Sequence, residues 1–402
     1  MCFFIFSHTP NIDYDAPSYI NFSSVRPPIY PTFIWVFHWA GKYQFQIVVW
    51  VQSMLTFGSL LYARHWLIKN LKIADTLIFS IFLFALITIC FHSQMWYIES
   101  EGLSFPFFIF MFFLSIECFQ EFNLKKIVYL SLWVGILILT RLQFYFLYGV
   151  FIFLLFWYLW KKVSIKSLVI CTGILLISIL FTALIDRSYH YFKNSNFAGA
   201  PIIGVQLIIQ PLFLANSNAA SYFENPAEKN IVQSMLNQIK KQKLNTSTSL
   251  LASLKPKYYE NAYEEYAKNY ILLQAIVYHT FSKDSVFAEN KSTSNIAKTL
   301  FLHNPKINIY FYIWKIIDSM GGIPFFLFFC LLLFSVIIRI FRNRDSDADF
   351  SQTFVALAVI ITFLNAGLVA VVEPALPSYF CYFQFLLYSL AALFADRIFF
   401  KK

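Results

Sequence analysis

The run IVYLSLWVGILILTRLQFYFLYGVFIFLLFWYLW, residues 127–160, carries a single charge, Arg141, in an otherwise apolar or weakly polar stretch. A membrane-crossing helix needs roughly 20 mostly apolar residues. The run is too long for one crossing, and its break at Thr140–Arg141 predicts two. Outward from it, apolar runs recur at 45–63, 73–91, 103–119, 167–185, 322–338, 351–371 and 379–397. Composition agrees: 59% of the 402 residues are hydrophobic, 13% are charged and the mean hydropathy is +0.61. An ordinary soluble chain is about a quarter charged. The fold class expected is therefore all-α, a polytopic transmembrane bundle of about nine spans with a small helical extracytoplasmic domain.

Orientation follows from the short loops, because Lys and Arg near span ends stay on the cytoplasmic side. Basic residues follow alternate spans: Arg64, Lys69 and Lys72, then Lys125 and Lys126, then Lys161, Lys162 and Lys166, then Arg339, Arg342 and Arg344, and finally Lys401 and Lys402. The other connections, which hold His92, Glu99, Glu101, Arg141, Glu373 and the long stretch at 186–315, fall outside. The expected organisation is a first outer loop and interfacial segment at 1–44, transmembrane helices at 45–185, an outer cap at 186–315, and C-terminal transmembrane helices at 316–402. The expected location is the plasma (inner) membrane. The short apolar start, Met1 to Phe6, cannot span a bilayer, and it reads as the outer end of a first span that lies upstream; an exported N-terminus on a nine-span chain is the other reading.

Within the cap, helical patterns cover 226–241 and 258–282, the second with Tyr259, Tyr263 and Tyr266 at helical spacing. Leu244 to Ser253 reads as a loop, and Pro201, Pro211 and Asn216 to Ala220 suggest irregular backbone. The net charge of +10 is a topology signal and implies no nucleic-acid partner. The six cysteines have no close pairing and the seven histidines no H-x-x-x-H spacing, so neither a disulfide framework nor a protein-built metal site is expected.

Chemistry concentrates at the outer ends of the spans. Asp13 and Asp15 precede Arg26 and the stiff run Pro27, Pro28, Ile29, Tyr30, Pro31, whose prolines fix backbone angles and hold Arg26 and Tyr30 on a rigid turn. An ordinary juxtamembrane loop would have the same make-up. The next outer connection supplies His92, Glu99 and Glu101, and an acid at a helix N-terminus is favoured by the helix dipole in any case. Arg141 lies inside an apolar run, where a charge is costly unless it is paired, hydrated or able to reach the surface. Glu373, before Pro374, marks the last outer loop.

These features resemble the GT-C superfamily of integral membrane glycosyltransferases, in particular the bacterial protein mannosyltransferases and aminoarabinose transferases. The similar elements are D-x-x-S-Y at Asp15 to Tyr19, R-P-P-x-Y-P at Arg26 to Pro31, S-E-x-L-S at Ser100 to Ser104, and L-T-R at Leu139 to Arg141. The chain departs from the family in having Leu142 where proline often follows the arginine, in having Ser378–Tyr379 in place of R-Y, and in lacking the first span. The resemblance implies transfer of a sugar from a polyprenyl-phosphate donor to a hydroxyl on a glycan, lipid or protein, with no cofactor and no metal. It implies Asp15 as the carboxylate at the reaction centre, with Asp13 and Glu101 beside it. It further implies Arg26 and Arg141 on the carrier phosphate. The outer-loop positions of Tyr30, His92, Glu99 and Glu373 add these four as expected substrate-binding residues. Competing readings are a transporter or flippase, a polysaccharide polymerase or ligase, and an inactive truncated transferase.

Overall fold

The computed structural model describes residues 9–12, 15–88, 96–244, 256–282, 285–342, 349–374 and 377–400. Among these the regular structure is helical, with one isolated parallel bridge between Asn11 and Tyr97. Sixteen α-helices follow one another. They are α1 (Ala16–Ile20), α2 (Ile29–Val36), α3 (Gln44–Trp66), α4 (Asp75–Ala85), α5 (Glu101–Gln120), α6 (Leu124–Thr140), α7 (Leu147–Trp160) and α8 (Ile165–Asn194). Then come α9 (Ile203–Phe213), α10 (Pro226–Gln242), α11 (Pro256–Thr280), α12 (Val286–His303), α13 (Pro305–Ser319), α14 (Ile323–Arg342), α15 (Phe350–Val372) and α16 (Pro377–Ala395).

Over the described residues each expected apolar run falls largely on a helix, and the long run at 127–160 divides at Arg141 as anticipated. Six described helices are long and apolar enough to cross a membrane, or seven if the bent pair Pro305–Ser319 and Ile323–Arg339 forms one span. Length separates this count from nine. At 1.5 Å per residue, the described helical stretch Asp75–Thr88, which includes α4, and the 17 residues of α6 reach only about 21 and 26 Å, against a hydrocarbon core of about 30 Å. Arg344, Lys401 and Lys402 of the topology argument lie outside the described residues.

The chain divides into two compact units. The first comprises residues 1–199, 328–365 and 377–402. In it α5 packs against α3 and α6, α6 also packs against α8, and α4 packs against α16. The apolar window of α5 is 78% buried and that of α8 only 22%, so α5 is a core helix and α8 a peripheral one. Starts and stops follow from side chains: the Asn123 oxygen accepts from the Lys125 and Lys126 amides to open α6, and Ser164 caps α8 through the Ser167 amide.

The second unit comprises 200–327 and 366–376. Its core is aromatic. Tyr259, Tyr263 and Tyr266, the tyrosines of the expected stripe, are buried on α11 with Phe213 of α9 and Phe311 of α13. Tyr270 and Tyr312 donate to the Val372 and Gly367 carbonyls at 3.2 and 2.9 Å, tying 366–376 to the same unit. Two expectations need correction here. Residues 186–194 continue α8 and do not open the cap, and Pro211 sits within α9 and does not break it. A proline in the last turn of a short helix forfeits one backbone bond, which the buried apolar face of α9 offsets. Most of the expected loop at 244–253 lies outside the described residues.

Candidate functional site

In the first unit, helix ends bring together segments far apart in sequence. The Asn11 amide donates to the Trp96 carbonyl at 2.7 Å and the Ile98 amide to the Asn11 carbonyl at 3.0 Å, which fixes the N-terminal segment beside the turn before α5. Asp15 stands at the N-cap of α1, and Pro17 favours the helical start. Arg26 follows a turn closed by its own amide donating to the Ser23 carbonyl, and Pro28 occupies the N-cap position of α2. Ser100 is the N-cap of α5 and Glu101 its first residue, where the dipole favours an acid. Arg141 occupies the extended C-cap of α6.

Two ion pairs form there. Arg26 Nη2 meets Asp15 Oδ1 at 2.6 Å, and Arg141 Nη1 pairs with Glu101 Oε1. Tyr19 and Ser100 connect the pairs. Arg26 Nη1 donates to Tyr19 Oη at 3.1 Å, and Tyr19 Oη lies 3.0 Å from Ser100 Oγ. Ser100 Oγ donates to Glu101 Oε2 at 3.2 Å and accepts from Arg141 Nη1 at 3.4 Å. A serine has one proton to give. With that proton on Glu101, Tyr19 must be the donor to Ser100, so the chain runs in one direction from Arg26 through Tyr19 and Ser100 to Glu101.

The guanidinium groups also rest on aromatic faces, Arg26 at 4.4 Å from the Tyr19 centroid and Arg141 at 4.5 Å from that of Tyr379. Arg26 Nε donates to Ser18 Oγ at 2.8 Å, which completes its fork. Burial works against the charge on Arg26, but the neighbouring Tyr19 and Asp15 oxygens outweigh it and raise its pKa. Burial pushes the Tyr19 phenol up, with Arg26 opposing, and pushes the Tyr30 phenol well up. Tyr30 stacks edge-on against Tyr19 at 5.0 Å and donates to Gln52 Oε1 at 3.4 Å.

The structure thus unites Asp15, Arg26, Tyr30, Glu101 and Arg141. Glu99 lies in the turn that leads into α5, where its carbonyl accepts from the Gly102 amide. Glu373 belongs to the second unit, where Gln206 Nε2 donates to its Oε1 at 2.5 Å. Asp13 and His92 lie outside the described residues. Sequence reading assigned no site role to Tyr19, Ser100 or Tyr379. The only trace of the first two was their place in D-x-x-S-Y and S-E-x-L-S. A buried pair at i, i+4 on α8, Asp186 and His190 at 3.4 Å, also went unnoticed.

Chemically, the arrangement offers two delocalised cations with directed donors, and two carboxylates that differ in access. Asp15 is 51% exposed and able to reach a ligand, whereas Glu101 is 5% exposed and committed to Arg141 and Ser100. No protein-family model, curated protein or solved structure matches the chain.

Proposed function

We propose that the chain is a GT-C type glycosyltransferase that moves a sugar from a polyprenyl-phosphate carrier to an acceptor hydroxyl at the extracytoplasmic face of the plasma membrane. The observation that carries this reading is the joining of two arginine–carboxylate pairs, from the 15–26 segment and the starts and ends of α5 and α6, into one hydrogen-bonded network. In this reading nine helices cross or enter the membrane, α4 and α6 among them, and the second unit stands outside.

The acceptor oxygen attacks the anomeric carbon of the donor sugar and the bond from that carbon to the phosphate oxygen breaks. Asp15 takes the acceptor proton, a role that needs hydrogen-bond reach and an accessible carboxylate. The electron pair leaves on the carrier phosphate, and the forks of Arg26 and Arg141 stabilise that charge through strong, paired hydrogen bonds. Tyr19 and Ser100 hold the two arginines at a fixed separation. Glu101 keeps Arg141 oriented and does not itself exchange a proton with substrate.

The test is release or transfer of radiolabelled sugar from polyprenyl-phosphate donors by membranes that contain the chain. Loss of a general base lowers turnover about 10²- to 10⁴-fold, so Asp15→Asn is expected to fall in that range. Absence of turnover with every carrier sugar, or an Asp15→Asn variant as active as the parent, overturns the proposal.

A further inference from the structure

The end of α14, the start of α15 and the end of α16, all in the first unit, enclose a pocket of about 370 Å³. It is remote from the ion-pair network. Arg141 rests on Tyr379 in the first turn of α16, whereas the pocket takes Leu393 from the last turn and Arg397 from just beyond it. With 19 residues at 1.5 Å each, α16 separates the two places by about 28 Å. The pocket has a polar end, made by Arg339 from the last turn of α14, by Arg397, and by Asp349, Ser351 and Gln352 at the start of α15. Each helix also contributes apolar residues one or two turns away from these: Leu332 and Val336, Val355, and Leu393.

The two arginines hold charge that the chain does not balance there. Arg26, Arg64 and Arg141 each hold a carboxylate. Among the described residues neither Arg339 nor Arg397 forms an ion pair. Arg397 Nη2 donates to Ser351 Oγ at 2.8 Å, a neutral partner that takes one of five N–H donors. Asp349 is the one carboxylate of the lining. Its Oδ1 accepts from the Ser351 amide at 3.2 Å and its carbonyl from the Thr353 amide at 3.1 Å, so it caps α15. Two cations thus face one anion that is already engaged. Topology accounts for basic residues at this end of the spans. It does not account for two guanidinium groups from separate helices lining one pocket with an apolar end.

We propose that this pocket binds the headgroup of an anionic phospholipid, with its phosphate on Arg339 and Arg397 and its first chain carbons along Leu332, Val336, Val355 and Leu393. A guanidinium fork matches phosphate oxygens, and basic pockets between transmembrane helices suit acidic headgroups of the cytoplasmic leaflet. The excess of positive charge selects a net-negative head over phosphatidylcholine, whose choline cancels its phosphate. The apolar end selects a lipid over free phosphate. Beside the pocket, Leu331 is 67% exposed and Phe334 63%, a surface on α14 along which the rest of the chains can lie. The inference is independent of the transferase reading.

The experiment titrates the full chain, purified in detergent, with phosphatidylglycerol or with phosphatidylcholine of the same chain length, and counts bound lipid by native mass spectrometry. Phosphatidylglycerol is expected to bind more tightly. Arg339→Gln/Arg397→Gln should weaken it about 30-fold, the scale of two basic groups at an anionic head. Lys125→Gln/Lys166→Gln removes the same charge from two exposed lysines of other basic loops and should leave binding unchanged. Leu332→Trp fills the apolar end, keeps both arginines, and should also weaken phosphatidylglycerol, which gives a second reading if the arginine variant does not fold. Equal binding of the two lipids, unchanged binding in the arginine variant, or equal losses in the arginine and lysine variants means charge attraction without a site and overturns the proposal. Displacement of phosphatidylglycerol by millimolar inorganic phosphate assigns the arginines to a soluble phosphate and overturns it too, whereas retention against phosphate supports a lipid headgroup.

Discussion

Glu101 and Arg141 are 5% and 13% exposed, whereas the Asp15 carboxylate of the neighbouring pair is 51% exposed, and this difference sets two energetic regimes in one network. Removing one member of a buried pair leaves an uncompensated charge and costs about 3–5 kcal/mol, while an exposed pair contributes about 0–1 kcal/mol. Glu101→Gln and Arg141→Gln should each destabilise the chain on the larger scale, and the double variant should cost well under their sum. Asp15→Asn should unfold within about 1 kcal/mol of the parent, so that any loss of turnover belongs to chemistry. Denaturant or thermal unfolding in detergent checks both. A pH effect follows from Tyr19, whose phenol burial pushes up. The unfolded phenol ionises near about pH 10. Between there and the raised folded value the native state holds more protons, so stability falls as pH rises, and none of this term is lost below about pH 9. Tyr19→Phe should flatten that alkaline limb in unfolding measured from pH 8 to 11. The residue types of the network were legible because acids and arginines are rare in so apolar a chain. The link through Tyr19 and Ser100 was not, since a hydroxyl pair 81 positions apart is decided by how α1 and α5 meet.

Helices were the most legible elements, because a bilayer demands long apolar runs and a charge at Arg141 forces a break in the longest of them. Pro211 misled, since its cost to a helix depends on how much apolar surface the rest of α9 buries. Helix pairing could not be read from periodicity, because the runs are apolar on every side and no polar stripe marks the inner face. Small residues are the better guide. Ser178 donates to the Ser131 carbonyl at 3.1 Å and Gly135 faces Thr182, so α6 and α8 lie side by side in parallel with four-residue steps in register. Overfilling such a contact costs about 1–3 kcal/mol. Gly135→Leu is therefore expected to destabilise by that amount. Gly173, also on α8, has open space where its Cβ would go, and Gly173→Ala should stabilise by up to about 1 kcal/mol through helix propensity. Opposite signs in the unfolding midpoints of these two variants check the α6–α8 register, and equal shifts would contradict it.

At the scale of the whole molecule the proposed orientation rests on loop charge, and the length of α8 says which residues would then stand outside. The basic loops favour one side for Lys161, Lys162 and Lys166, at the start of α8. With 30 residues, α8 is about 45 Å long, so if its first turn lies at the cytoplasmic surface its last ten or so residues stand beyond a core of about 30 Å. Phe192, 86% exposed, is in that overhang, at the end of the bundle where α6 stops and the ion-pair network begins. In a cysteine-free background, Phe192→Cys should react with a membrane-impermeant maleimide in intact cells, and Lys162→Cys only after permeabilisation. The reverse pattern would turn the network toward the cytoplasm. That pattern would remove the extracytoplasmic placement on which the proposed transfer rests. The maleimide experiment therefore tests the placement that the proposed donor and the role of Asp15 share.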